Sequence, residues 1–364
     1  MGTAESKTPD LIVTTIAMMM TAVGLLMVYS TSSLMPGNYF QRSLAYAAIG
    51  FIGFMVASRV EPEVMRKFAY QGLLVVSLLL ILVWIPGIGV KAKGASRWIR
   101  LPGFQFQPSE LAKLAVVVFL AHSLAKRDPE KLRTFNFGFL PHVVIPGVPI
   151  LLVLAEPDMG TAVVLGLLVF VMTFVGGIRI KHLAIAAGPA SFIAACLVWF
   201  VPYRRERFLA FLDPWQHAQT SGHQLVQSFL AFGAGGLWGV GLGAGKQKLH
   251  YLPEAHTDFI LSIWAEETGL MGVLTILALF AVLVWRGYMI SLRQTDPYRR
   301  LLAMGITTWL ALQASLNSLV VMGCLPTKGL PFPFLSYGGT GMVVTLTATG
   351  ILAGLGRREK PCAS

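Results

Sequence analysis

Five ionisable side chains crowd residues 251–269, YLPEAHTDFILSIWAEETG: Glu254, His256, Asp258, Glu266 and Glu267. An apolar run begins at Phe259, so Asp258 reads first as a helix N-cap, a position that aspartate favours. A cap accounts for neither Glu254 nor His256, and it leaves the basic residues of two polar segments unexplained. Residues 88–110 carry Lys91, Lys93, Arg97 and Arg100, and residues 203–258 carry Arg204, Arg205, Arg207, Lys246 and Lys248. A carboxylate beside such cations can take a proton from an attacking hydroxyl while the cations hold a phosphate.

QPSELAKL places Glu110 and Lys113 at i and i+3, on one side of a helix. Gln107 as N-cap, Pro108 at the first position and Glu110 at the third give a plain account of the acid. Lys113 lies a turn deeper in an apolar helix, where an ammonium pairs or lines a cavity. Glu266 and Glu267 fall roughly 10–12 Å into a helix starting at Phe259, at about 1.5 Å per residue, and are expected to face a cavity or a partner cation. EPDMGT (156–161) reads as a helix start capped by Asp158, and Gln313 and Asn317 as hydrogen-bond links between helices. Trp98 reads first as an interfacial aromatic. GVGLGAGK is not a phosphate loop, because Val240 takes the first glycine position and Gln247 that of Ser/Thr. Neither the seven histidines nor the three cysteines show metal-ligand spacing, and the cysteines suggest no disulfide framework.

A membrane bundle must position these groups. Hydrophobic residues make up 55% of the 364 and charged residues 13%, against roughly a quarter charged in a soluble domain. Apolar runs near 11–30, 43–58, 69–87, 111–126, 140–155, 160–178, 182–202, 259–291, 301–324 and 340–356 suit spans of about 20 residues. The expected fold is all-α, a polytopic membrane protein with about ten transmembrane helices. It forms one membrane domain over 1–364: seven spans in 10–202, a large loop over 203–258, three spans in 259–356 and a tail from 357. No cleavage signal follows the first run, so it reads as a retained anchor.

Fifteen lysines and arginines, from Arg59 to Arg358, fall in connections on one face, against Arg42 and Lys328 in the short connections on the other. The first face should be cytoplasmic, with both termini, and segments 88–110 and 203–258 should lie outside. The net charge of +12 then reports topology and not nucleic-acid binding. Ser228–Gly245, apolar and glycine-rich, is expected to be interfacial or re-entrant. Gly329–Gly341 cannot be regular helix at Pro331 and Pro333, and Gly338–Gly339 permits a tight turn.

Taken in order, MVYSTSS (27–33), GASRWIRL (94–101), FQPSELAKLA (106–115), EPDMGTA (156–162), YRRERFLAFLDPW (203–215), LVQSFLAFGAGGLWGVGLG (225–243), KLHYLPEAHTDFI (248–260), AEETG (265–269) and LPTKGLPFPFLSYGGTG (325–341) resemble the SEDS family of shape, elongation, division and sporulation proteins. The likeness covers nearly the whole chain. It leans toward the division and sporulation branch of FtsW and SpoVE, with the elongation branch of RodA the near alternative.

The resemblance implies a peptidoglycan glycosyltransferase of the bacterial cytoplasmic membrane. Such an enzyme polymerises lipid II into β-1,4 glycan strands at the outer face and releases undecaprenyl diphosphate. Its implied partners are a class B penicillin-binding protein, which cross-links the product, and other divisome or elongasome membrane proteins. The family's essential aspartate falls on Asp258, its Glu/Lys pair on Glu110 and Lys113, and its loop tryptophan on Trp98. The chain has AEPDMGT, SYGGTG and GAGKQK where many members have QPDLGT, SYGGSS and GQSRQK; none of these removes an ionisable group.

On this basis Asp258 is expected to act as the base, or to orient the acceptor hydroxyl through a divalent cation, Mg or Mn. Arg204, Arg205, Arg207 and Lys113 are expected at the diphosphate, with Arg97, Trp98, Glu110, His256 and Ser336 completing the substrate site. The alternative from another class is a lipid II flippase, to which Glu266 and Glu267 are best suited; that function calls for ionisable groups near the midplane, on broken helices of related halves. A scaffold for the penicillin-binding protein leaves the outer basic residues and Lys113 unexplained.

Overall fold

The computed structural model describes residues 8–32, 37–92, 95–101, 104–249, 251–253 and 255–357. Lys93, Glu254 and Arg358, counted above among the charged groups, lie outside the described residues.

Residue chemistry at the helix ends explains where the elements begin. Asp10 accepts the Val13 amide at 3.0 Å and so caps α1 (Leu11–Ser32). α2 (Tyr39–Arg59), the short α3 (Pro62–Lys67) and α4 (Ala69–Leu82) follow. α5 (Pro108–Ala125) starts after Gln107 with proline in its first turn, as the spacing predicts. α6 (Pro129–Leu132) and a π-helical turn (Phe135–Phe139) lead into α7 (Leu140–Ala155). Asp158 caps α8 (Met159–Val175) by accepting the Thr161 amide at 3.1 Å. Next come α9 (Ile180–Phe200), α10 (Pro202–Leu212) and α11 (His223–Gly235). α12 (Ile260–Arg293), α13 (Pro297–Val321) and α14 (Thr340–Gly356) end the bundle.

Each expected apolar run contains a helix, though the run 69–87 leaves helix after Leu82 and continues as turns. Among the described residues, seven helices are long and apolar enough to cross a membrane, while α4, α8 and α14 are apolar but shorter. The sequence reading did not foresee one element, a three-stranded antiparallel sheet of β1 (Gly89–Ala92), β2 (Ala95–Leu101) and β3 (Phe104–Phe106). Val90 pairs with Trp98, and Ile99 with Phe106. Strands this short show too little alternation for a period of two to stand out.

Two glycine sites set how closely the helices approach. In α14, Gly350 and Gly354 form a GxxxG face against α2, where added Cβ atoms would meet the Phe54 and Ser58 carbonyl oxygens at 2.4 and 2.5 Å. In α12, Gly269 (φ 69°) interrupts the helix. The freed carbonyls of Glu266 and Glu267 accept from Val240 and Gly241, and the Leu270 and Met271 amides donate to Gly236 and Leu237. The backbone of the glycine string therefore completes the broken helix, giving both segments the hydrogen-bond partners that an interfacial or re-entrant element would need.

α13 runs through the middle of the bundle, with Trp309, Gln313 and Asn317 buried against α5, α8 and α12. At the end of the bundle away from Asp258, ion pairs Arg286–Asp10 and Arg299–Glu63 (each 2.7 Å) tie helices together.

Candidate active site

Asn317 and Gln313, one turn apart on α13, organise the site. The Asn317 amide nitrogen donates to the backbone carbonyls of Asp258 (2.8 Å) and Leu330 (2.6 Å). Gln313 donates to the Pro331 carbonyl at 2.9 Å, while its carbonyl oxygen accepts from Trp309 Nε1 (2.9 Å) and Lys113 Nζ (2.8 Å). The sequence suggested links between helices; the structure shows that these amides also hold two loops. The loop of residues 326–339 is buried at Leu330, Phe332, Phe334, Leu335 and Ser336. Phe334 adopts φ 66°, a conformation that costs a bulky residue about 1–3 kcal/mol and persists only where the surroundings dictate it.

Asp258 sits half-buried just before α12. Phe259, not Asp258, flanks the helix, so the capping expectation is not met. A Cβ on Gly329 would come within 3.2 Å of Asp258 Oδ2, so glycine there lets the proline-rich loop run against the carboxylate. The His256 carbonyl accepts the Tyr337 amide at 2.9 Å, and its ring packs between Tyr39 and Tyr337 with centroids 5.2 and 5.8 Å away. Ser336 lies inside the loop, where its hydroxyl accepts the Phe332 amide at 2.8 Å. Beside Gly329, burial pushes the Lys328 ammonium below its ordinary pKa.

Glu110 and Lys113 form the pair that their spacing predicts, with contacts of 2.9 and 2.8 Å. They are only 3% and 1% exposed. Lys113 has three donors, and Glu110 and Gln313 engage all of them, while the Trp309 ring lies 5.2 Å away. In this arrangement Lys113 steers Glu110 and Gln313 and has no donor left for a diphosphate.

Glu267 meets a partner cation, as expected: Lys248 lies 2.6 Å away, and Ser30 and the Gly243 amide add hydrogen bonds. Glu266 instead accepts the Lys246 and Gln247 amides. Both carboxylates thus fasten the glycine-rich element to α12.

In β2, Trp98 is half-buried, and Arg97 donates to the Glu156 and Pro157 carbonyls at 3.1 and 2.6 Å. Glu156 is 1% exposed, and among the described residues neither of its carboxylate oxygens has a hydrogen-bond partner. Burial, then the Asp158 charge, pushes its pKa up to about 8, with Arg97 opposing. Glu156, Lys248 and Lys328 were not among the expected site residues. Unpaired depth shows only in three dimensions, although a lone acid between an apolar run and Pro157 is a sequence signal for it.

The α10 arginines are apart from the buried pair. Arg205 is exposed and Arg204 half-buried, while the Arg207 guanidinium lies 4.5 Å over the Tyr203 ring. Arg207 lines a cavity of about 590 Å³ between α10 and α11, whose lining also includes Pro253. That proline belongs to the stretch carrying His256 and Asp258, which brings α10 to the same end of the bundle. Among the described residues, no three His, Cys, Asp or Glu side chains gather as metal ligands.

A family model described as cell cycle protein, covering FtsW, RodA and SpoVE, matches residues 10–361. The chain is 48% identical over 363 residues to the probable peptidoglycan glycosyltransferase FtsW of Geobacter sulfurreducens, covering 98% of this chain and 97% of that protein. It is 38% identical to stage V sporulation protein E of Bacillus subtilis, covering 98% and 100%. A chain of a peptidoglycan synthase complex, solved to describe the coordination of polymerization and crosslinking, superposes with TM-score 0.82 at 28% identity, covering 97% and 99%. The crystal structure of Thermus thermophilus RodA gives TM-score 0.73 at 26% identity, covering 97% and 98%.

Proposed function

We infer the activity from the premise that this chain belongs to the FtsW, RodA and SpoVE family of cell cycle proteins: it is a peptidoglycan glycosyltransferase that polymerises lipid II. The observation that carries the reading is the seat of Asp258. Its carboxylate is half-buried at one end of the bundle, its backbone is held by Asn317, and Gly329 leaves room beside it.

The reaction is one displacement. A sugar 4-hydroxyl of the acceptor attacks the anomeric carbon of the donor, the bond to the lipid diphosphate breaks, and the α-linkage becomes β. Asp258 takes the hydroxyl proton as the bond forms. Arg204 and Arg205 lie at the same end to balance charge on the departing diphosphate. In the alternative role Asp258 would hold a Mg or Mn ion, which would orient the acceptor hydroxyl. Lys113 and Glu110 act indirectly, by fixing Gln313 and hence the Pro331 carbonyl of the loop.

The positive-inside bias supports an extracytoplasmic site with cytoplasmic termini. The likeness to a peptidoglycan synthase complex supports a class B penicillin-binding protein as partner. A flippase is not favoured. Glu266 and Glu267, its best-suited residues, are consumed by loop amides and Lys248.

Purified protein in detergent, with and without a cognate penicillin-binding protein, is assayed for glycan strands made from lipid II. Wild type should yield long strands and folded Asp258→Asn none. Translocation of labelled lipid II across liposomes by both proteins, with no strands from either, would replace this reading with the flippase.

A further inference from the structure

A cavity between α10 and α11 lies beside the residues of the displacement reaction and has no part in it. At about 590 Å³ it falls within the range of about 300–1,000 Å³ that suits a small organic ligand. Its lining carries charges of both signs. Glu206 and Arg207 come from α10, Gln219 from the turn before α11, and His223 and Gln224 from the start of α11. A diphosphate is poorly matched here, because Glu206 would oppose it. A sugar ring would seek an aromatic face, but the Tyr203 face is already covered by the Arg207 guanidinium. Acid, base and amide groups in one cleft match a short peptide bearing carboxylates, amines and backbone amides.

Position supports the same ligand. Pro253 lines the cavity and precedes Asp258 by five residues, so the two lie within about 18 Å at 3.3–3.6 Å per residue. A peptide of similar length, attached to a sugar whose anomeric carbon reacts near Asp258, spans that gap. We propose that this cavity binds the peptide portion of lipid II, with Arg207 receiving a peptide carboxylate and Glu206 a peptide amine. The assignment rests on the polymerase reading, and it moves Arg207 from the diphosphate to the peptide.

The test compares initial polymerisation rates on lipid II and on a lipid-linked disaccharide without peptide, for wild type, Glu206→Gln and Gln219→Ala. Wild type should show a KM lower by roughly tenfold for the peptide-bearing substrate, the worth of a charge-assisted hydrogen bond or two. Glu206→Gln should bring that ratio most of the way to one, and Gln219→Ala part of the way. Free peptide stem should inhibit wild type competitively and Glu206→Gln several-fold less. Equal KM values for both substrates in wild type, or a ratio that neither substitution moves, overturns the assignment and leaves the polymerase standing. No strands from either substrate with wild type sinks the polymerase reading and this one with it.

Discussion

Asn317 holds Asp258 by its backbone: the side-chain amide donates to the Asp258 carbonyl at 2.8 Å and to the Leu330 carbonyl at 2.6 Å. The residue that carries the proton-accepting group is thus positioned through its main chain. Asn317→Ala strands two carbonyls, at about 1–3 kcal/mol for each buried group left unsatisfied. Glycan synthesis should fall about 10- to 100-fold, since roughly 1 Å of misplacement has such an effect. Rates on lipid II, with thermal unfolding in the same detergent, check this. Unaltered rates would remove Asn317 from the site.

Lys113→Met should be far worse than the double substitution Glu110→Gln/Lys113→Met. Removing one partner leaves a buried charge uncompensated, at about 3–5 kcal/mol, whereas removing both is often nearly neutral. A double-mutant cycle read by thermal unfolding should give a coupling of at least about 2 kcal/mol. Additive single effects would contradict the pairing seen at 2.8 Å.

Much of this arrangement was legible in the residues alone. The Glu110–Lys113 pair followed from i and i+3 spacing, the Asp158 cap from its place before an apolar run, and Glu267's need for a cation from its depth. The N-cap position of α12 falls on Phe259, one residue after Asp258, a shift that the onset of the apolar run does not fix. Lys248 is adjacent to Glu267 only because the glycine string folds back, a pairing that no local period encodes. The small sheet was hidden by its short strands. Arg97 and Glu156, 59 residues apart, meet only through the packing of β2 on the end of α7.

Glu156 supplies a pH dependence. Its folded pKa of about 8 exceeds the ordinary 4.5, so the folded state binds the proton more tightly than the unfolded chain. Its contribution is fully present below pH 4.5 and is lost as pH rises toward 8. The 3.5-unit interval corresponds to no more than roughly 5 kcal/mol. Glu156→Gln should flatten the fall in Tm between pH 5 and 8 and be the more stable protein at pH 8.5. Parallel Tm curves for the two proteins would show that this carboxyl titrates normally.

Gly269→Ala should unfold the junction between α12 and the glycine-rich strap. A Cβ there would lie 2.4 Å from the Gly239 nitrogen, on a backbone at φ 69°. The closest atoms belong to main chain, so relief requires moving the strap itself, and a loss above about 3 kcal/mol is expected. Protease susceptibility of residues 236–249 should rise with the loss in Tm. Full protection of that segment would argue against a shared backbone junction.

The two buried ion pairs differ in a way that bears on biogenesis. In α5, Glu110 and Lys113 are a turn apart on one helix, so the segment carries its own counter-charge as it leaves the translocon. A central ionised residue adds about 2.5–3.5 kcal/mol to insertion, and prior neutralisation within the segment lowers that barrier without help from any neighbour. Glu267 of α12 has no such companion, because Lys248 arrives from the preceding loop only when the glycine-rich strap has folded back. Partitioning of α5 can therefore precede assembly of the bundle, whereas stable lodging of α12 is coupled to tertiary closure, making the strap a determinant of how fast nascent chains mature.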